Sequence, residues 1–76
     1  MNIKTMELFY KLFGLDPKVG DCVTILDAFN RTLEGVSQIN DHINKWRKKG
    51  IVVEYFHDTA IPAMSRYILR EFPGKK

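Results

Sequence analysis

The sequence predicts an α+β fold, with three helices followed by a C-terminal antiparallel β-hairpin and a short strand before the second helix. Three observations support this. Up to Lys49 the apolar residues recur every third or fourth position. After Gly50 they form an unbroken β-branched and aromatic run, Ile51 to Phe56. Glycines at positions 14, 20, 35 and 50 mark the places where the period breaks. With 76 residues, 45 % of them hydrophobic, the chain is large enough for a single domain, read as spanning 1–76.

The first helix is read over residues 3 to 13, with Met6, Phe9, Tyr10 and Phe13 on one stripe and Gly14 beyond its end. Gly14 to Gly20 is a loop containing Asp16-Pro17. Asp21-Cys22-Val23 is the short extended piece, with Cys22 expected as a small buried hydrophobe. Thr24 is the N-cap of a second helix over Ile25 to Arg31, with Asp27 three positions on. Ile25, Leu26, Phe29 and Leu33 are expected to face inward. Leu33-Glu34-Gly35 makes the next turn.

Ser37 is expected to cap the third helix, Gln38 to Lys49. Its inward stripe is Val36, Ile39, Ile43 and Trp46, and Gly50 ends it in the left-handed conformation. Trp46 continues that stripe and is read as core, pinning the helix to the rest of the domain. Ile51 to Phe56 is the first strand of the hairpin. His57 to Ala63, with Pro62, is its loop, and Met64 to Arg70 returns as the second strand. Residues 72–76 are read as a flexible tail.

The formal charge is +3, and it is unevenly spread. Residues 1 to 36 sum to −1, residues 37 to 50 to +3 and residues 51 to 76 to +1. The surplus is Lys45, Arg47, Lys48 and Lys49, at the end of the third helix. Two readings fit. Cations there complement the helix dipole, or they meet an anionic partner.

Several function classes lose support. A single cysteine makes no internal disulfide, and no C-x-x-C pair exists for zinc or redox chemistry. Nucleotide-binding glycine loops are absent, and His42 and His57 stand apart with no H-x-x-x-H spacing. Carboxylates are scattered, with no pair suited to acid–base work. No enzyme activity, cofactor or metal is therefore expected. Lys4, Glu7 and Lys11 interrupt the first residues, so neither a signal peptide nor a membrane span is read there, and the cytoplasm is the expected location.

Two helices joined across a tight glycine-containing turn and followed by a hairpin have the layout of a winged helix-turn-helix domain. In that layout the second helix of the pair lies in the DNA major groove and the hairpin forms a wing. Opposite its apolar stripe, the third helix carries Ser37, Asp41, Asn44, Lys45 and Lys48, flanked by Gln38, Asn40, His42 and Arg47. Asn and Gln can pair with adenine, Lys with guanine, and Asp can accept from cytosine N4. Ser, Lys and Arg serve phosphates. The sequence-read contact set is Ser37, Gln38, Asp41, Asn44, Lys45, Arg47, Lys48 and Lys49, joined by Arg66 from the wing. A plain solvated face remains the alternative, although Asn40 and Asn44 are poor helix formers for that purpose.

Residues 22 to 69 resemble the small winged helix-turn-helix proteins of bacteriophages and prophages. The resemblance rests on Thr24, Asp27 and Ala28, on Ser37, Ile39, Asp41, Ile43, Trp46, Arg47, Lys48, Gly50 and Val53, and on Arg66, Tyr67 and Leu69. It implies double-stranded DNA binding in the control of transcription, replication or recombination of a mobile element. The chain departs from that pattern in its first helix, MELFYKLFG, and in its apolar wing tip around Ile61 and Met64. Those departures suggest a second hypothesis, a protein-binding module or inhibitor of a host protein. The first helix and wing tip would then contact that protein or a second copy in a dimer. A third is an architectural dimer that bends DNA.

Overall fold

The elements follow in the order α1 (Ile3–Phe13), β1 (Cys22–Thr24), α2 (Ile25–Thr32), α3 (Val36–Arg47), β2 (Val52–Phe56), a 3-10 turn (Pro62–Met64) and β3 (Arg66–Glu71). They are seen in a computed structural model that describes residues 3–73, with side chains from Met6 onward. The architecture is α+β, three helices on one face of a three-stranded antiparallel sheet ordered β1-β3-β2.

Local chemistry sets the boundaries. Thr24 accepts the Asp27 backbone N–H at 3.1 Å and so caps α2. Leu33, not a glycine, ends α2 in the left-handed conformation (φ 61°), donating its N–H to Phe29 O. Thr32 stabilises the same turn by donating its hydroxyl to Ala28 O and accepting the Glu34 N–H. The N-cap of α3 is Gly35, and no side chain caps that helix. Ser37 therefore lies inside the first turn of α3 and is not its cap, contrary to the sequence reading. At the other end Gly50 (φ 88°) closes a Schellman motif. Its N–H meets Arg47 O, and the Ile51 N–H meets Trp46 O.

The core forms where the helices meet the inner face of the sheet. Val23, Val53, Tyr67 and Leu69 point inward along alternating strand positions. They meet Leu8, Phe9, Leu12 and Phe13 of α1 and Ile39, Ile43 and Trp46 of α3. Trp46 is fully buried and packs edge-on against Phe9 at 5.3 Å. Arg31 joins α1 to α2, its guanidinium donating to Leu12 O at 2.7 Å. The hairpin tip is ordered by Asp58, which accepts the N–H groups of Ala60 and Ile61, and by buried Ser65, which accepts the Asp58 N–H.

Four further expectations need correction. Cys22 is exposed, because β1 alternates and turns Val23 inward instead. Leu26, Phe29 and Leu33 are exposed, since Ala28, Thr32 and the half-buried Ile25 supply the inward face of α2. Met64 belongs to the 3-10 turn, and the return strand starts at Arg66. Phe72, read as part of the tail, stacks on Phe9 at 5.4 Å and joins the core margin. The rest of that tail, residues 74–76, lies outside the described residues.

Candidate nucleic-acid interface

Helix α3 presents a polar surface opposite its buried apolar residues, with Val36 half-buried at its first turn. Ile39, Ile43 and Trp46 are buried against α1 and the sheet. That packing fixes the rotation of the helix. Ser37, Gln38, Asp41, Asn44, Lys45, Arg47, Lys48 and Lys49 are all exposed, and Asn40 and His42 are half-buried at the margins. The structure thus places six of the nine sequence-read contact residues on α3, with Lys48 as its C-cap and Lys49 in the turn that follows, so the helix ends two residues before the expected Lys49.

The electrostatics of that element are asymmetric. Lys45, Arg47, Lys48 and Lys49 cluster at its C-terminal end, where the helix dipole favours cations. Among the described residues, ion pairs join only Lys18 to Asp16 and Arg70 to Glu54. These four cations therefore have no carboxylate partner there. Asp41 is likewise not paired with Lys45, one turn further along. Ser37, freed from capping, keeps its hydroxyl available.

Arg66 is placed elsewhere. It lies at the tip end of β3 on the outer sheet face, with its guanidinium 5.7 Å from the centre of the Phe56 ring. Arg70 lies over the same ring at 5.6 Å and is held by Glu54 at 2.7 Å. Helix α3 packs on the inner face, so Arg66 does not join its surface.

On α1, Leu8, Phe9, Leu12 and Phe13 are core, while Tyr10 is half-buried. Ile61 and Met64 at the hairpin tip are exposed.

Sequence reasoning missed a second feature, on α2. Leu26, Phe29 and Leu33 form an outward apolar ridge, 59 %, 48 % and 75 % exposed. Leu26 and Phe29 of the ridge also form one wall of a recess of about 260 Å³, completed by Ile25, Val36, Ile39, Ala63 and Tyr67 and bordered by Glu34. The Tyr67 hydroxyl is buried with no hydrogen-bond partner among the described residues. Burial, reinforced by neighbouring Tyr55, pushes its pKa up to about 12. The signal was present in the sequence. From Ala28 round to Leu26 the apolar residues of α2 span roughly 160° at ~100° per residue, wider than one inward stripe needs.

Among the described residues no group of His, Cys, Asp or Glu is arranged to hold a metal, and no helix is long and apolar enough to cross a membrane. Comparison with protein-family models, with curated proteins and with solved structures finds no match to this chain.

Proposed function

We propose that the chain is a winged helix-turn-helix protein that binds double-stranded DNA, with α3 in the major groove. The element order, the three-residue turn between α2 and α3, and the sheet order β1-β3-β2 are compatible with that fold. The observation that carries the reading is the exposed polar face of α3, with four cations at its C-terminal end that have no carboxylate partner among the described residues. Asn44 supplies donors for base edges, and Asp41 supplies an acceptor. Lys45, Arg47, Lys48 and Lys49 contact phosphates beside the groove. The biological setting proposed is control of transcription, replication or recombination in a mobile element.

The test is selection of bound sites from randomised duplex DNA, followed by anisotropy titrations. Asn44→Ala is expected to alter base preference, and Lys48→Glu to weaken all sequences alike. Full affinity in both variants would reject this assignment. A protein-binding role on the same scaffold has one observation in its favour, the exposed Ile61 and Met64 at the hairpin tip. Charge reversal at Lys45 and Lys48 that leaves biological activity intact would favour it.

A further inference from the structure

The α2 ridge costs the monomer stability in two ways. Leu33 exposes most of its side chain to water, and it also holds a left-handed backbone at φ 61°. For a non-glycine residue that conformation is unfavourable. Neither core packing nor solubility explains a leucine at this position. An unfavourable residue of this kind is a pointer to use.

We propose that the ridge and its neighbouring recess form a two-fold interface with a second copy of this chain. Three features identify the occupant. First, Leu26 and Phe29 are both ridge and recess wall, so the protruding and the concave surface share one face. A two-fold axis beside that wall packs each copy's Phe29 against the other's recess, the self-complementarity that an isologous contact requires. The recess, about 260 Å³, has room for one large side chain.

Second, the charges allow it. Positions Leu26, Phe29, Asn30 and Leu33 are uncharged although the chain as a whole is +3, and Glu34 at the recess border is the one charged residue of its lining. The α3 cations begin nine residues beyond Val36, roughly 14 Å along the helix at ~1.5 Å per residue. That exceeds the ~8 Å screening length at physiological salt.

Third, the area is sufficient. The 3-10 turn packs beside α2 and adds exposed Ile61 and Met64. With the ridge they present on the order of 500 Å² of apolar surface, at the upper end of what one monomer exposes in a patch. A polar rim would bring this toward the ~800 Å² per partner of a standard interface.

This proposal does not depend on DNA binding, and its test contains no DNA. Sedimentation equilibrium on the whole chain, with exposed Cys22 kept reduced, measures the mass over a concentration series. The expected result is a reversible shift from 8.9 kDa to twice that mass, with Kd on the order of 10 µM or tighter. Phe29→Asp is expected to weaken association at least about a hundred-fold while leaving the circular dichroism spectrum unchanged.

Leu33→Gly supplies a check that misfolding cannot imitate. It relieves the left-handed backbone and should raise the monomer's melting midpoint. At the same time it should weaken association about ten-fold. A wild-type chain that stays at 8.9 kDa at ~1 mM overturns the proposal. A dimer of unchanged strength in both variants does so too.

Discussion

Removing one cation from the end of α3 gives a quantitative handle on the DNA reading. Lys45, Arg47, Lys48 and Lys49 are exposed and lack carboxylate partners among the described residues. Each can therefore release one counterion from DNA without first breaking an internal pair. At about −0.9 per phosphate contact, four contacts give a log–log salt slope near −3.6. Between 50 mM and 200 mM salt the affinity should then fall about 150-fold. In Lys48→Ala the slope should relax to about −2.7, and the same salt step should cost only about 40-fold. Asn44→Ala should leave the slope unchanged, because its amide addresses a base edge and not a phosphate. Anisotropy with a labelled duplex at five or six salt concentrations measures all three slopes. A wild-type slope shallower than about −2, or one unmoved by Lys48→Ala, would refute the reasoning.

Two further expectations concern stability. Trp46→Ala removes a fully buried indole packed against Phe9 and should cost at least about 3 kcal/mol in urea unfolding. Tyr67→Phe deletes a buried hydroxyl with no partner among the described residues and should stabilise the fold by about 1 kcal/mol. The pH dependence follows from the raised pKa of Tyr67. Between pH 10 and about 12 the unfolded tyrosine loses its proton while the folded one keeps it. Stability is therefore fully present below pH 10 and declines as pH rises through that window. Tyr67→Phe should flatten that alkaline decline, as read by urea midpoints along a pH series.

Much of the fold was legible because its signals were local. Gly50 marked the end of α3, and a glycine there adopts the φ of 88° that the Schellman motif needs. Ile39, Ile43 and Trp46 fixed which side of α3 faces outward, so the candidate surface could be listed from spacing alone. The misreadings arose where two elements competed for one position. On α2 the large apolar residues were assigned inward. The small Ala28 lets α2 approach its neighbours closely and leaves Leu26 and Phe29 on the far side. Ser37 fitted a cap by type, yet the chain turns one step earlier, at Gly35. Arg66 is read from the sequence as a hairpin residue, and the sheet face it occupies follows only from the strand register.

The sheet order leaves β2 on an open edge, with the run Val52-Val53-Glu54-Tyr55-Phe56 along it. Such a segment is strongly β-forming and nearly free of charge, the composition that templates intermolecular stacking. Glu54 is its one charged residue, and Arg70 holds that carboxylate at 2.7 Å on the solvent side. A surface pair of this kind adds little to folding. Its value is as a gatekeeper against fibril growth. Glu54→Val should leave the melting midpoint nearly unchanged while shortening the lag before thioflavin-positive aggregates form at neutral pH.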